Sequence, residues 1–362
     1  MPEAKPPPKV SRPSLSPAAL TGLIWLGAVL LTVPPALGQS VYALLQGPDD
    51  HVRLARIQAL LDGAGWFDDR LVRIAPPEGA VLHWSRLPDL LPAGIIAALR
   101  PWLGEAAAAW AAASATPLVM LAALLAALVW AVRPLLPGQA GAAAALVAVG
   151  VPAMLEVVPG SLDHHHWMML AAALGAGMVG HLACDAAPRR AAVVGGLGLG
   201  VGVVVTGETL LALMAVCAAT GVLWLVRGRY VVAPLRVFAG VLVLTGLAFL
   251  PVARAPGAWL AAPCDRFGLV YLAVLAGVAA IWWSAPALAA RGPDRGPTRL
   301  VAGGLLAAAV AVALGALFPH CRGGAMSGVP ADQWPMWLGH AAGMIPLWTK
   351  SAGQIVATAA AP

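Results

Sequence analysis

The 362 residues carry a formal net charge of +6 and are 60% hydrophobic but only 10% charged, with a mean hydropathy of +0.83. A soluble protein of this length needs far more polar surface, so the composition excludes that class and indicates a polytopic helical membrane protein. The basic residues are dispersed in short clusters between apolar runs, which is typical of loops that fix membrane orientation and excludes a role in nucleic-acid binding.

Residues 1–17 form a Pro-rich segment that carries Lys5, Lys9 and Arg12 without any apolar period. We expect a disordered tail that its charge retains in the cytoplasm. The apolar run at residues 18–37 is not followed by a small-residue cleavage site and a soluble domain. An uncleaved membrane span is therefore favoured over a signal peptide, which places the tail inside and the next loop outside.

A long, mixed segment, residues 38–104, follows this span and predicts an ordered external loop. Apolar residues recur within it with a helical period, at Leu54, Ile57, Leu60 and Leu61. Asp49 or Asp50 stands at the N-terminal end of that predicted helix, where a carboxylate caps free N–H groups. The apolar run at residues 87–99 is short for a membrane span, and we expect a re-entrant or interfacial helix there.

Eight further apolar runs approach the length of about 20 residues that a membrane span needs. They occupy residues 106–132, 142–158, 167–183, 191–206, 209–226, 231–252, 269–290 and 300–318. With the first run they predict an all-α, polytopic membrane protein with about nine or more transmembrane helices. The transmembrane domain then comprises residues 18–318 and includes the external loop, and residues 319–362 form an external C-terminal segment.

The charged residues between the runs follow this topology. Eight arginines fall on the side of the N-terminal tail, as the positive-inside rule requires: Arg133, Arg189, Arg190, Arg227, Arg229, Arg291, Arg295 and Arg299. The same count brings distant acids to the opposite, outer face: Asp49, Asp50, Asp163, Glu208 and Asp265. Cys264 and Cys321 also fall outside, where an oxidising periplasm allows disulfides, so we expect this pair to be bonded.

One stretch, residues 160–167, places an acid and three imidazoles between two apolar runs: Asp163, His164, His165 and His166. Adjacent residues of a helix point about 100° apart, so the three imidazoles cannot all face one ion. Asp163 can converge with His166, or with His165 if the turn is extended. Carboxylate and imidazole ligands suit Mn²⁺, Zn²⁺ or Mg²⁺. The alternative is a helix-capping aspartate followed by interfacial histidines.

Two further carboxylates lie among apolar residues, Glu156 before this stretch and Glu208 in a later loop. A carboxylate in such surroundings is costly unless it is paired or faces a wet cavity. Each of them is therefore either a functional group or the structural partner of an arginine.

The first external loop contains, in order, Gly47 to Arg56 (GPDDHVRLAR), Trp66-Phe67-Asp68, Pro76 to Gly79 and His83-Trp84-Ser85-Arg86. This series resembles the first external loop of GT-C membrane glycosyltransferases and is most similar to the catalytic subunits of oligosaccharyltransferases. Those proteins also place an Asp after the first span, followed by a short helix, an aromatic and acidic segment and a Pro/Gly turn. Asp163-His164-His165 is similar to their second external motif, Asp-x-Asp or Asp-x-Glu.

The resemblance implies a GT-C-like fold and a divalent metal held by Asp49, Asp163 and His165, with a His in place of the second acid. His166 is a further candidate ligand, and Mn²⁺ or Mg²⁺ is expected in preference to Zn²⁺. The candidate catalytic residues are Asp49, Asp50, Asp163 and Glu208. Arg53 and Arg86 are candidate phosphate contacts, because a guanidinium binds phosphate oxygens bidentately. Trp84 completes the candidate substrate-binding residues.

The implied function is transfer of a sugar or oligosaccharide from a polyprenyl-phosphate-linked donor to an acceptor, at the periplasmic face of a bacterial-type inner membrane. The expected partners are that donor and membrane lipid. The family's Trp-Trp-Asp acceptor motif is missing, so the acceptor stays open. Two other functions also stay open. A cation- or proton-coupled transporter predicts internal repeats and charges at the membrane midplane, and a non-catalytic assembly subunit predicts tolerance to the loss of any one outer acid.

Overall fold

The computed structural model describes residues 16–72, 77, 79–136, 157–293, 295–324 and 327. The first part of the chain forms helices α1 (Pro17–Ala36), α2 (Val41–Leu44), α3 (Pro48–Leu61), α4 (Leu90–Leu103) and α5 (Glu105–Val132). The second part forms α6 (His165–Ala183), α7 (Pro188–Val205), α8 (Thr209–Arg227), α9 (Val232–Ala253), α10 (Leu269–Ala289) and α11 (Gly296–Leu317). The prediction of an all-α fold is confirmed.

Seven segments of the described chain are long and apolar enough to cross a membrane by length and composition. One of them, Thr209–Ala253, contains both α8 and α9, which a short 3₁₀ turn at Gly228–Val231 separates. Eight predicted spans therefore correspond to α1 and to α5 through α11. The remaining predicted span, residues 142–158, lies almost entirely outside the described residues, as do Glu156, the tail up to residue 15 and most of the C-terminal segment.

Hydrogen bonds at the ends of the helices indicate that the helices alternate in direction as the charge pattern predicts. At one end of the bundle, which we call the site end, the Trp66 indole donates to the Val252 carbonyl (2.7 Å) and the Ser85 amide donates to the Val205 carbonyl (3.4 Å). At the opposite end, which we call the arginine end, Arg227 donates to the carbonyl of Leu182 at 3.3 Å.

The centre of the bundle is built from α6, α7 and α9, and α7 is rich in glycine. A Cβ at Gly195 would lie 2.7 Å from the Met178 side chain of α6, and one at Gly200 would lie 2.8 Å from Thr245 of α9. Small residues allow helix backbones to approach closely where the surrounding lipid supplies no hydrophobic drive for association. This close packing fixes the loops at both ends of α7.

The first external loop folds into α2, α3, a two-residue antiparallel hairpin and α4. Strand β1 (Arg70–Leu71) pairs with β2 (Ala80–Val81). Helix α4 is 14 residues long, and it packs on α5 with Ala93 and Ile96 buried. It is shorter than the roughly 20 residues of a membrane span and is not among the seven candidate spans, so a re-entrant or interfacial helix stays the prediction.

Cys264 and Cys321 form the predicted disulfide, with their Cα atoms 5.3 Å apart. The bond joins the loop after α9 to the 3₁₀ turn after α11, Pro319–Cys321. Cys184 and Cys217 are free. Both disulfide partners lie at the site end, as the loop count requires.

Gly160 provides a test of how the loop before α6 docks on the rest of the site end. Its φ is +97°, and an added Cβ would overlap the backbone carbonyl of Leu44. Gly104 also has a positive φ, +76°, but an added Cβ there would meet nothing within 4 Å. We expect Gly160→Ala to lower the melting temperature by about 4 °C or more beyond the effect of Gly104→Ala, because overlap with backbone cannot relax. Equal effects of the two variants in a thermal unfolding assay would contradict this docking.

Candidate functional site

Helix α3 organises the site end through one buried polar face. Gly47 is its N-cap residue, Pro48 occupies the first helical position, and the Asp50 carboxylate accepts a hydrogen bond from the Gly47 amide at 2.8 Å. Three charged residues on the same face are almost completely buried, Asp50 (4% exposed), Arg53 (1%) and Arg56 (1%). Charges so deeply buried need partners. Asp50 finds its partner in the loop before α6, whereas Arg53 and Arg56 share Asp89 at the start of α4.

Asp50 holds the loop that carries the histidines. Its second oxygen accepts from the backbone amide of Leu162 at 2.6 Å. Burial raises the pKa of Asp50 to about 6, although both backbone N–H groups oppose that rise. Because both oxygens are used by backbone amides, Asp50 is a helix cap and a clamp between loops. This placement supports the capping role and does not support the predicted catalytic one.

Asp163 orients two imidazoles at the start of α6. One oxygen accepts from the His164 amide at 2.6 Å and also contacts Nδ1 of His164. The other oxygen lies 3.0 Å from Nδ1 of His165. Burial disfavours the charge on Asp163, but the hydrogen bond from His164 and the nearby positive groups outweigh it and lower the pKa of this carboxyl. Asp163 is therefore an ionised anchor for both rings.

The outer nitrogens of the two rings point toward one carboxylate. Nε2 of His164 and Nε2 of His165 each lie 3.8 Å from the same oxygen of Glu208. One ligand atom from each of these three residues can be chosen so that all lie within 4.8 Å of one another. Two ligands of one ion at about 2.0–2.6 Å span such separations, so the three residues fit a divalent metal.

Two observations strengthen that fit. Nε2 of His164 is buried, and it has no hydrogen-bond partner among the described residues. A buried polar atom without a partner is costly, and a cation between it and Glu208 would remove that cost. Asp163 contacts Nδ1 of both imidazoles, and a carboxylate on the second ring nitrogen is the usual support of a metal-binding histidine.

The charges of this group are coupled. Burial opposes a positive His164, but Asp163 and Glu208 prevail and raise its pKa. The His164 imidazole lowers the pKa of Glu208 against the opposing effect of burial. The Asp163 and His164 side chains are buried, whereas the Glu208 side chain is 50% exposed. Asp163 therefore fixes the group on its buried side, and Glu208 forms its solvent-exposed side.

The structure separates the remaining predicted ligands. Nε2 of His166 lies 3.1 Å from the hydroxyl of Ser161, and both residues are buried. His166 is not among the three residues whose ligand atoms converge, so the prediction that it is a ligand is not supported. Asp49 is exposed at the start of α3. Partial burial and the nearby Asp163 carboxylate raise the pKa of Asp49, which places it beside the group but outside the three closest ligands.

A buried ion network lies beneath this group. Asp89, which is 0% exposed, binds NH1 of Arg53 at 2.6 Å and Nε of Arg56 at 3.0 Å. Arg56 also donates to the carbonyl of Trp84 at 3.0 Å and pairs with Asp69 at 3.3 Å. The network joins α3, the hairpin and the start of α4. Arg53 is committed to this network, so the structure does not favour its predicted role as a phosphate contact.

Arg86 is committed to the same network. It is 5% exposed, pairs with Asp69 at 3.5 Å and donates to the backbone carbonyl oxygens of Asp68 and Arg56. Its guanidinium thus ties the hairpin to α3. Because these partners are all within the protein, the placement does not support the predicted phosphate contact.

Sequence reasoning missed a pair of arginines nearby. A small polar cavity beside the hairpin is lined by His83, Ser85, Arg254 and Arg266, among other residues. Burial and the neighbouring Arg266 charge both lower the pKa of Arg254. The Nε atoms of both arginines are buried without a hydrogen-bond partner among the described residues. Two close guanidinium groups of this kind favour an anion between them.

His83 connects this cavity with the histidine group. Burial lowers its pKa, and Asp265, His164, Arg266 and Glu208 are the charges that act on it. A single side chain is thus within electrostatic reach of both sites. His164 itself was also missed, because the helical spacing argument assumed that it belongs to the helix. It is instead the N-cap residue of α6, and its ring centroid lies 4.8 Å from that of His165.

No protein-family model matches the chain, and no curated protein matches it in sequence. Solved structures are similar to it in fold. The oligosaccharyltransferase of Archaeoglobus fulgidus in complex with Zn and sulfate gives a TM-score of 0.58 at 18% identity, over 83% of this chain and 39% of that chain. AglB from Archaeoglobus fulgidus with an inhibitory peptide and a dolichol-phosphate gives 0.61 at 17% identity, over 83% and 37%.

These likenesses show that the chain has the GT-C fold that its first-loop motifs indicated. The apo form of the same archaeal oligosaccharyltransferase matches over 93% of this chain, with a TM-score of 0.58 at 16% identity. The chain spans about two fifths of the length of these structures, with 40% of the apo form covered. The resemblance in fold is thus confirmed over most of the sequence.

The burial of Arg86 predicts a structural role that can be measured. Replacing Arg86 by Lys keeps the charge but removes the planar fork that reaches three acceptors, so we expect a loss of about 1–3 kcal/mol of stability. Arg100→Lys is the matched control, since Arg100 is 44% exposed and its pairs with Asp62 and Glu105 lie at the surface. Thermal unfolding in detergent checks both variants. A stable Arg86→Lys protein with weakened donor binding would restore the phosphate-contact role.

Proposed function

We propose that the chain is an integral-membrane glycosyltransferase. It transfers a sugar or oligosaccharide from a polyprenyl-phosphate-linked donor to an acceptor, with a divalent metal, at the periplasmic face of a bacterial-type inner membrane. The observation that carries this proposal is the convergence of Asp163, His164, His165 and Glu208 beside a cavity lined by arginines, at the end of the bundle opposite the basic loops. The GT-C fold supports the reaction class.

His164, His165 and Glu208 would hold the metal, with Asp163 orienting both imidazoles and Asp49 adding negative charge beside them. Two imidazoles in the ligand set favour Zn²⁺ or Mn²⁺ over Mg²⁺, which prefers oxygen ligands. When bound, the ion neutralises charge that develops on the leaving phosphate. The exposed side of Glu208 leaves an approach from outside, as a site that binds substrate beside its ion requires.

Arg254 and Arg266 bind the donor phosphate. Their buried Nε atoms make no hydrogen bond among the described residues, although Nε of Arg266 lies 3.6 Å from a carboxylate oxygen of Asp265. The adjoining ends of α7 and α9 bring the cavity next to the membrane boundary. In the reaction the bond between the sugar carbon and the phosphate oxygen breaks, and its electron pair stays on the phosphate. The two guanidinium groups stabilise that charge.

Asp49 receives the proton of the acceptor. Its carboxylate is exposed at the site end, and its pKa is raised, which makes it a stronger base than a fully solvated aspartate. The acceptor oxygen or nitrogen forms the new bond to the sugar carbon as the phosphate leaves. Asp49 lies outside the buried network, so a ligand can reach it without unfolding the loop.

The proposal is tested with the full chain in proteoliposomes and a panel of radiolabelled polyprenyl-phosphate sugars, with release of label from the lipid phase as the readout. We expect Asp163→Asn and Glu208→Gln each to reduce the rate about 100-fold or more. The double variant should cost little more, because groups that act as a unit are not additive.

Glu105→Gln is the matched control for the carboxylates, since Glu105 is an exposed acid at the same end. It should retain the full rate. EDTA should abolish release, and Zn²⁺ or Mn²⁺ should restore it. Retained release in chelator, or in both single variants, would contradict a metal-assisted reaction at this group.

The donor site makes a separate prediction. Arg254→Lys keeps the charge but loses the planar fork, so we expect the KM for the donor to rise about tenfold with a change in kcat below about threefold. Arg291→Lys, at the arginine end, is the control and should leave both constants unchanged. A fall in kcat at unchanged KM would place Arg254 outside the ground-state phosphate site.

A further inference from the structure

Four planar groups form a column that runs from the buried ion network to the histidine group. Cζ of Arg53 lies 5.6 Å from the centroid of the Trp84 ring. The Trp84 centroid lies 5.8 Å from that of His164, with 35° between the ring planes. His164 in turn lies 4.8 Å from His165, at 47°. Trp84 thus lies between the buried guanidinium of Arg53 and the two imidazoles that face Glu208.

The lower end of the column is fixed in two ways. Asp89 holds Arg53 under the indole through a 2.6 Å ion pair. Arg56, bound to the other oxygen of Asp89, donates to the backbone carbonyl of Trp84 at 3.0 Å. The same buried carboxylate therefore sets both the backbone of Trp84 and the guanidinium against its face. A cation over an indole face is attracted to it, which holds the ring in place.

At the upper end of the column, the His164 ring needs a contact that fixes its orientation. The terminal torsion of a histidine is broad, so a single contact at Nδ1 does not define where Nε2 points. His164 has its Nδ1 contact with Asp163, and its Nε2 has no hydrogen-bond partner among the described residues. An aromatic ring packed against the imidazole restricts the remaining rotation. Trp84 occupies that place.

We propose that Trp84 is a positioning residue, which fixes the ring of His164 so that Nε2 faces Glu208, with Arg53 and Asp89 as its base. This inference rests on the proposed function, because it concerns the same metal site. It replaces the role of Trp84 as a substrate contact, which the sequence suggested. Arg53 then supports the Trp84 ring and does not bind the donor phosphate.

The test measures the affinity of the purified, metal-free full chain for Zn²⁺ by calorimetry. Trp84→Phe keeps a ring face and should stay within about threefold of the wild-type affinity. Trp84→Leu keeps an apolar side chain without a ring face and should weaken binding about tenfold or more, as loss of an outer support does in metal sites. Trp102→Leu, at a residue that is 83% exposed, is the control and should bind like the wild type.

A double-mutant cycle separates positioning from general loss of structure. If Trp84 acts through His164, the effect of Trp84→Leu on Zn²⁺ affinity should disappear in a His164→Ala background. An effect that persists there overturns the proposal, as does equal binding by the Phe and Leu variants. If Trp84→Leu does not fold, Trp84→Met takes its place, and failure of both to fold assigns Trp84 to the fold alone and also overturns it. Absence of Zn²⁺ binding by the wild type would instead contradict the proposed metal site.

Discussion

The buried charges on one face of α3 are the constraint on which the site end depends. Asp50 clamps the loop before α6, and Arg53 and Arg56 bind Asp89 at the start of α4. With Arg86 and Asp69, the buried network contains three guanidinium groups and two carboxylates. Breaking a buried pair leaves an uncompensated charge, so the loops can separate only at a high cost. The network also leaves one excess positive charge beneath the acidic residues of the site.

This arrangement divides the site into a rigid base and an open edge. The base consists of groups whose partners all lie inside the protein, such as Asp50 and Asp89. The edge consists of partly exposed groups, Glu208 and His165, on the open side of the site. Electrostatic catalysis depends on groups that are already in place when the charge develops, so a base of this rigidity suits the proposed reaction. The apolar helices below place the site end at a membrane boundary, where the lipid-linked donor of the proposed reaction would arrive.

Sequence patterns predicted most of the fold, because each span is a long apolar run and each basic loop marks one face. They also predicted the disulfide and the meeting of Asp163 with an imidazole. They did not predict which charged residues are buried, since burial of Arg86 is decided by carbonyl oxygens of Asp68 and Arg56 that no pattern encodes. His164 was missed because its convergence with His165 depends on the residue at which α6 begins. Arg254 and Arg266 belong to no sequence motif, and only the folded structure shows that they line one cavity.

The metal site that we propose consists of two adjacent imidazoles at the start of α6 and one carboxylate, Glu208, from the loop before α8. X-ray absorption at the zinc edge, recorded on the full chain with one equivalent of Zn²⁺, tests this directly. We expect a first shell of nitrogen and oxygen at about 2.0–2.2 Å with scattering from two imidazole rings, reduced to one ring in His164→Ala. A shell of oxygen alone, or a spectrum unchanged by His164→Ala, would contradict the claim.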